Sequence, residues 1–374
     1  MAGAPHWSFD LPPVATWLTA HGLPTTLAPP VEPLEVVAWK DLRSLAARHR
    51  LEGLLVGAVA QGALPVTDEQ AADVAVLEVT LTKRRIAQDA FLVAVADAFG
   101  AAGIDLRVLK GTALARLDYP DPMLRPTGDL DLLVRGEQLG DAIAAIEALG
   151  GTRIDPEPQP GYDRLLSKAV AVSAFDGRVE VDLHRVLTSG PYGARLPAED
   201  LWRATRTVVI ADRAFATLPV EESLLFAAFH LLIEGFRRAL SLRDVAQLAA
   251  APDLDPLRAV ALARRWRAEA PLAVALAMAR RDLALPATGV LQGWAEGFRV
   301  GLRDLVWLRA QRPEQPWPWT RAVATVVEVP PGLQRRTLVR SLLSPREGTW
   351  PPLHRRLARR ARTGWARARS RLSR

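Results

Sequence analysis

The sequence predicts an α+β protein, with a small mixed β-sheet core flanked by N-terminal and C-terminal helical regions. Apolar residues recur at helical spacing in the first and last parts of the chain, and short alternating segments that predict strands lie between them. We expect four parts: an N-terminal helical region (1–102), an α/β core (103–219), a C-terminal helical domain (220–312), and a final segment (313–374) with a Pro/Trp-rich linker, helices and an Arg-rich tail.

Two helices account for most of the N-terminal region, which is preceded by a short periodic segment around Val14 to Leu18. The run DLRSLAARHRLEGLLVGAVAQG (41–62) places leucines at helical spacing, and Gly-Ala-Leu-Pro at 62–65 ends that helix. A longer helix is predicted from Asp68 to Ala101, ending near Gly103.

The core begins with strand, helix, strand and helix. IDLRVL (104–109) predicts a short strand, and Gly111-Thr112 predicts the start of a helix. LDLLV (130–134) predicts a second strand, and a helix is expected over 138–149. The alternation between strands and helices indicates a small sheet with helices packed on it.

A hairpin follows these elements. VAVSAF (170–175) and RVEVDL (178–183) alternate in polarity and flank Asp176-Gly177, a dipeptide that favours a tight hairpin turn. TRTVVI and FATL predict a last pair of strands before the C-terminal helices. We therefore expect the second hairpin strand to lie beside the earlier strands of the sheet.

Composition limits the class of protein. The chain of 374 residues has no cysteine, which excludes disulfides, Cys-ligated zinc and a thiol nucleophile. The N-terminus does not resemble a signal peptide, and the most apolar stretch, Leu224 to Ile233, is shorter than the ~18 residues of a membrane span. We expect a cytoplasmic protein without a transmembrane segment.

The net charge of +7 is concentrated at the C-terminal end. Residues 351–374 hold nine Arg and no Asp or Glu, which leaves 39 basic against 41 acidic residues elsewhere. Nucleic-acid binders carry a basic face on the folded body, so the composition argues against nucleic acid as the main partner. Two interpretations of the tail stay open: contact with an anionic surface such as a membrane or RNA, or a solvated chain end.

The first motif with chemical meaning is Lys110-Gly111-Thr112 at a strand-to-helix turn. Glycine lets the backbone approach a ligand closely, and the N-terminus of a helix presents free N–H groups to phosphate. Glycine is also common in such turns for purely structural reasons, which is the alternative interpretation.

The second motif is the acid pair Asp129 and Asp131 in an otherwise apolar strand. Side chains alternate along a strand, so both carboxylates share one face while Leu130 and Leu132 point into the core. A divalent cation would relieve the repulsion between the two acids. The alternative is a solvated strand end.

The third motif repeats the alternation on a neighbouring strand, where Glu180, Asp182 and His184 lie on one face. A third carboxylate beside a metal-bound pair completes the ligand sphere or takes the proton of a nucleophile in phosphoryl-type transfer. An exposed polar strand face is the alternative when the segment is taken alone.

The combination LKGTALARLDYPDPMLRPTGDLDLLV and VEVDLHRVL resembles the bacterial nucleotidyltransferase-like family of the polymerase-beta-type superfamily. The family pattern is L-K-G, then R-P-x-x-D-[IL]-D-[IL]-L-V, then V-[DE]-L-H, and the resemblance spans about Pro33 to Leu248. It implies an enzyme that uses Mg²⁺ (or Mn²⁺) to transfer a nucleoside monophosphate from a nucleoside triphosphate, such as ATP, to an unidentified acceptor.

The resemblance also implies roles for individual residues on the nucleotide side. Gly111 and Thr112 occupy the turn that holds the phosphates of the nucleotide, with Thr in place of the more usual Ser. Arg125 matches the arginine of the R-P segment, and Lys110 offers a second phosphate contact.

The metal-binding and catalytic positions of the family fall on Asp129 and Asp131, with Asp182 as the third carboxylate and the partner of the acceptor hydroxyl. His184 either orients the acceptor or is structural. Two weaker positions follow: His230, interpreted as a core histidine, and Asp244, interpreted as a helix cap or as the partner of Arg243 or Arg238.

The acceptor stays open among a small molecule, a peptide and RNA. Two other functions stay open beside this reaction. One is a non-catalytic module that binds a nucleotide or a partner protein, and the other is a nucleic-acid-modifying enzyme recruited by the basic tail.

Overall fold

The computed structural model describes residues 10–174, 177, 179–310 and 318–344, without the side chains of 318–321. Asp176, most of the predicted linker and the Arg-rich tail lie outside the described residues. Within the described part, helices surround a seven-stranded mixed sheet, which confirms the predicted α+β class.

The N-terminal helices begin with a short Pro-initiated helix and end with one of 34 residues. The long helix coincides with its prediction, and Thr67 and Gln70 form the capping box that starts it. The helices are α1 (Pro13–Ala20), α2 (Val36–His49), α3 (Glu52–Ala60) and α4 (Asp68–Ala101).

The single helix predicted over 41–62 is wrong, because the chain turns at Arg50 between α2 and α3. Arg50 adopts a left-handed conformation with φ of 58°. The turn directs α3 so that Gly53 packs against the backbone of residues 123–126, where a side chain would collide. Tertiary packing therefore overrides the continuous helical pattern.

The sheet has the order β3-β4-β5-β2-β1-β7-β6. Strand β2 is parallel to β5, β1 is parallel to β7, and the remaining neighbours are antiparallel. The first strand is shorter than predicted, since only two residues of 104–109 pair with β2. The strands are β1 (Arg107–Val108), β2 (Leu130–Leu133), β3 (Thr152–Arg153), β4 (Ala169–Ala174), β5 (Val179–His184), β6 (Arg206–Ile210) and β7 (Arg213–Thr217).

The helices of the core and the C-terminal part pack around this sheet. The predicted helix over 138–149 forms as α6, and the region from residue 220 is helical as expected. The helices are α5 (Lys110–Leu117), α6 (Leu139–Ala148), α7 (Tyr162–Leu165), α8 (Gly190–Arg195), α9 (Asp200–Arg203), α10 (Val220–Ile233), α11 (Ala239–Ala249), α12 (Pro256–Arg265), α13 (Glu269–Asp282), α14 (Val290–Gly297), α15 (Leu302–Ala310), α16 (Pro318–Glu328) and α17 (Leu333–Leu343).

Helix α4 belongs to two hydrophobic cores. Its first half buries Val74 and Leu81 among the other N-terminal helices. Its second half buries Phe91 and Phe99 against the inner face of the sheet. Helix α4 thus packs both among the N-terminal helices and against the sheet.

Helix α10 is buried along most of its length and packs against α11 and α13. Its apolar residues share a core with Leu109, Leu114 of α5 and Leu133 of β2, and Leu133 lies on the same face of β2 as Asp131. The C-terminal helices therefore cover the face of the sheet on which the predicted acids lie. Across the described residues, we find no helix with the length and apolarity that crossing a bilayer requires.

Candidate functional site

The parallel pairing of β2 with β5 brings two predicted acids together. Asp131 lies opposite Asp182, while the flanking Leu130 and Leu183 are fully buried. Side chains at paired positions of adjacent strands point to the same face of a sheet. The acids thus converge on one face, as the alternation of the two segments predicts.

Asp131 is the most enclosed of these acids, with 3% of its side chain exposed. Its Oδ1 atom lies 3.2 Å from Lys110 Nζ and 2.7 Å from His184 Nε2. Burial alone would raise the pKa of Asp131, but the Lys110 ammonium and the hydrogen bond from His184 outweigh it and hold the pKa well below its ordinary value. The carboxylate is therefore ionised at neutral pH.

Lys110 reaches Asp131 from the first residue of α5. Its backbone is left-handed, with φ of 47°, an unusual conformation for a non-glycine residue. Next to it, a Cβ atom on Gly111 would lie 2.6 Å from the Thr127 methyl carbon, so glycine is required there. The strained turn places the ammonium of Lys110 at the acids, and such strain is concentrated at functional sites.

His184 ends β5 and is fully buried. Burial lowers its pKa, and the nearby Lys168 lowers it further, so the imidazole is neutral at pH 7. Since the neighbouring Asp131 is ionised, we assign the proton of the neutral imidazole to Nε2. The Nε2–H group then donates a hydrogen bond to the Asp131 carboxylate. The ring of Phe226 from α10 packs edge-on against His184 and fixes its orientation.

The geometry permits a metal ion at the acids. Asp131, Asp182 and His184 each offer a ligand atom, and these atoms lie within 4.8 Å of one another. That spacing matches ligands that surround a single ion at about 2.0–2.6 Å. Because His184 Nε2 donates to Asp131, we assign His184 to the orientation of that carboxylate.

Asp129 lies directly before β2, with 26% of its side chain exposed, and its Oδ1 atom is 3.7 Å from an Arg50 guanidinium nitrogen. Asp129 is not among the residues whose ligand atoms lie within 4.8 Å of one another, but its charge acts on the neighbouring acid Glu180. Burial raises the pKa of Glu180, and the carboxylates of Asp182 and Asp129 raise it further. The acids of the two strands therefore form one negatively charged cluster.

A pocket of about 480 Å³ opens beside Asp182. Lys168 and Tyr162 line it, together with an ion pair between Arg153 and Asp163. Burial lowers the pKa of Lys168, and repulsion by Lys110 lowers it further. The pocket has the size of a small-molecule site and adjoins Asp182, which is more exposed than Asp131.

Of the four predicted phosphate contacts, Lys110 and Gly111 lie next to the acids, whereas Thr112 is enclosed and Arg125 is paired with another residue. The Thr112 hydroxyl has no hydrogen-bond partner in the described part of the chain. Arg125 lies against Gly111, but two of its nitrogens bind Asp244, at 3.0 and 2.7 Å. The phosphate roles of Thr112 and Arg125 stay predictions.

Asp244 has a structural role in this arrangement. It is almost completely buried and also accepts a hydrogen bond from the Tyr119 hydroxyl at 2.8 Å. The pairing therefore joins α11 to the loop that carries Arg125, whereas the sequence predicts Arg243 or Arg238 as the partner. The Asp244–Arg125 pair holds the loop beside Gly111.

Two charged groups near the acids, Arg50 and Lys168, are not singled out by the sequence. Arg50 approaches Asp129 from the corner between α2 and α3, and Lys168 precedes β4. His230 was interpreted as a core histidine, and it lies one turn after Phe226 and pairs with Glu234 at 3.3 Å. The left-handed corner and the strand pairing that place Arg50 and Lys168 depend on tertiary structure, so no local signal identifies them.

The chain is similar to a protein-family model and to solved structures. Residues 35–283 match the family model described as an uncharacterised nucleotidyltransferase, while no curated protein matches the chain. A solved structure of the antibiotic-resistance factor ANT(2'')-Ia is similar at 18% identity, with a TM-score of 0.35 over 49% of this chain and 95% of that chain. An antigenic nucleotidyltransferase-like protein from Paracoccidioides brasiliensis is similar at 19% identity, with a TM-score of 0.29 over 50% and 91%. Since the family model covers more than half of the sequence, the chain belongs to the uncharacterised nucleotidyltransferase family.

Proposed function

We propose that the protein is a Mg²⁺-dependent nucleotidyltransferase that transfers a nucleoside monophosphate from a nucleoside triphosphate to an acceptor. The observation that carries the proposal is the juxtaposition of Asp131 and Asp182 on adjacent parallel strands, next to the Gly111 turn. Membership of the nucleotidyltransferase family supports the reaction class. Mn²⁺ is the alternative ion, because it also accepts carboxylate ligands.

Asp129, Asp131 and Asp182 would hold the metal. A bound ion would supply positive charge that neutralises the phosphates and the leaving oxygen. The chain prepares these ligands in advance, since Lys110 and His184 keep Asp131 ionised and fix its position. A carboxylate held in this way does not have to reorganise when the ion binds.

The α5 end of the site would take the phosphates of the nucleotide. The helix begins at Lys110, so its first N–H groups and the Lys110 ammonium carry positive charge next to the acids. Gly111 would contribute its backbone N–H to the phosphate, while the space that a Cβ atom would need is filled by Arg125 and Thr127. These groups orient the α-phosphate for in-line attack.

The acceptor would bind in the pocket beside Asp182. About 22% of the Asp182 side chain is exposed, so its carboxylate can accept the proton of an attacking hydroxyl. The Lys168 ammonium lines the same pocket and offers a donor to the acceptor. The size of the pocket favours a small molecule over a folded macromolecule.

Incubation of the purified protein with each nucleoside triphosphate, labelled at the α-phosphate, tests the proposal. Small-molecule and macromolecular fractions of a cell extract serve as acceptors, and labelled product and pyrophosphate are measured with Mg²⁺, with Mn²⁺ and with a chelator. We expect metal-dependent transfer that Asp182→Asn lowers by about 100-fold or more. Asp141→Asn, an exposed acid of α6, is the matched control and leaves transfer unchanged.

The same experiment separates the enzyme from a non-catalytic nucleotide-binding module. A module would bind the nucleotide equally well in wild type and Asp182→Asn and would release no pyrophosphate with any fraction. Absence of both nucleotide binding and metal dependence in the wild type would contradict the proposal.

A further inference from the structure

The corner between α2 and α3 is a fixed part of the molecule. The N–H group of Arg50 donates to backbone carbonyls of the last turn of α2, and the Leu51 N–H donates to Ala46 at 2.8 Å. Leu51 itself is fully buried. The left-handed conformation of Arg50 therefore sets the direction in which its side chain leaves the backbone.

A second contact holds this corner against the C-terminal helices. The backbone N–H of Ala239, the first residue of α11, lies 3.4 Å from His49 Nδ1. Leu240 and Ala239 share a hydrophobic core with the N-terminal helices. The position of Arg50 is thus determined by two regions that are distant in sequence.

The Arg50 guanidinium lies over the loop that leads into β2. A Cβ atom on Gly128 would come within 2.9–3.0 Å of three guanidinium atoms, so the glycine makes room for the arginine. The adjacent Asp129 carboxylate is 3.7 Å away, longer than the 2.7–2.9 Å of a well-formed charge-assisted hydrogen bond. The pair is therefore loose.

The guanidinium also keeps most of its binding capacity. Arginine has five N–H donors, and within the described residues the Arg50 side chain makes no hydrogen bond besides this loose ion pair. About 39% of the side chain is exposed, which leaves it accessible to a ligand at the acids. A cation that bound Asp129 would compete with Arg50 for the carboxylate and free the guanidinium.

We propose that Arg50 binds the β- and γ-phosphates of the nucleoside triphosphate, so that the N-terminal helical region supplies a positioning residue to the nucleotide site. The inference rests on the proposed function. The planar guanidinium can donate to two phosphate oxygens at once. When a cation takes the Asp129 carboxylate, the polyphosphate becomes the new anionic partner of Arg50. Arg50 contacts the part of the nucleotide that leaves as pyrophosphate.

Binding measurements on the full chain test the assignment, with Arg50→Gln and Arg50→Lys as variants and Arg48→Ala as control. Arg48 is an exposed residue of the same corner. The probes, each with Mg²⁺, are inorganic tripolyphosphate, the best-binding nucleoside triphosphate and its monophosphate. We expect Arg50→Gln to weaken triphosphate and tripolyphosphate binding by about tenfold or more, and to leave monophosphate binding unchanged.

The remaining variants locate the effect. Arg50→Lys keeps the charge without the planar fork, so its loss of affinity should lie between wild type and Arg50→Gln. Arg48→Ala should bind all three probes as the wild type does. Thermal unfolding of each variant verifies that the fold is intact.

The outcomes separate this inference from the proposed function. Equal binding of triphosphate by wild type and Arg50→Gln overturns the role of Arg50 while the nucleotidyltransferase proposal stands. Equal loss for monophosphate and triphosphate also overturns it, because the contact would not be to the polyphosphate. A wild type that binds no probe refutes both proposals.

Discussion

His184 of β5 donates a hydrogen bond to Asp131 of the neighbouring strand β2, with 2.7 Å between Nε2 and Oδ1. The contact makes His184 the residue that orients the most buried acid of the site. His184→Ala should lower metal affinity by about 10–100-fold, the usual effect of removing a residue that orients a metal ligand. Calorimetric titration with Mn²⁺ measures the change.

His21→Ala is the matched control for His184, because His21 is a partly buried histidine that bonds Gln61 in the N-terminal region. Its metal affinity should equal that of the wild type. Unchanged affinity in His184→Ala would refute the orienting role.

Replacement of Asp244 by Asn should destabilise the protein. The substitution removes the negative charge opposite the buried guanidinium of Arg125, and an uncompensated buried charge costs about 3–5 kcal/mol. Tyr119→Phe removes a single hydrogen bond to the same carboxylate and should cost about 1 kcal/mol. Urea unfolding measures both losses, and an equal loss in the two variants would argue against a charge effect.

Two helical glycines should respond to alanine in opposite directions. At Gly53 a Cβ atom would lie 2.6 Å from Pro126 Cδ and 2.8 Å from the Leu124 carbonyl carbon, so Gly53→Ala should lower the free energy of unfolding by about 2–3 kcal/mol. At Gly140 in α6 a Cβ atom has no neighbour within 4 Å among the described residues, and Gly140→Ala should raise stability by about 0.5–1 kcal/mol. Equal melting temperatures for the two variants would contradict this prediction.

The stability contributed by Glu234 should depend on pH. Burial alone would raise the pKa of Glu234, but hydrogen bonds from His230 and Ser241 and the charge of Arg238 lower it to about 2. Its stabilising effect is therefore complete above the ordinary value of 4.5 and is lost as the pH falls towards 2.

Comparison of Glu234→Gln with wild type isolates this carboxylate from the other acids. The shift from 4.5 to about 2 corresponds to at most about 3 kcal/mol, so the variant should be less stable at pH 7 by up to that amount. The difference should shrink between pH 4.5 and 3, as measured by urea unfolding. A constant difference across that range would show that ionisation of Glu234 does not stabilise the fold.

The sequence was sufficient for the elements that depend on local pattern. The capping box and the Gly103 turn delimit α4, and the alternation around Gly177 predicts the β4–β5 hairpin. The alternation also predicts that Asp131 and Asp182 share a face, because side-chain direction in a strand follows directly from position.

Contacts between distant residues could not be predicted in the same way. Arg125 and Asp244 lie 119 positions apart, and their pairing depends on how α11 packs over the β2 loop. At the corner the left-handed residue is Arg50 and not a glycine, so no local signal predicts the turn. The turn depends on the packing of Gly53 against residues 123–126, which are distant in sequence. Likewise, the pocket near Lys168 exists only once the sheet has formed.

The continuity of α4 has a consequence for how the molecule comes apart. The two halves of this helix are buried in different hydrophobic cores, so unfolding of one core removes packing contacts from the helix that also stabilises the other. Heat or denaturant should therefore melt the leading helices and the sheet in one cooperative event. For the same reason, removal of residues 1–102 would expose apolar side chains of the sheet core to water, and the remaining chain should not fold by itself.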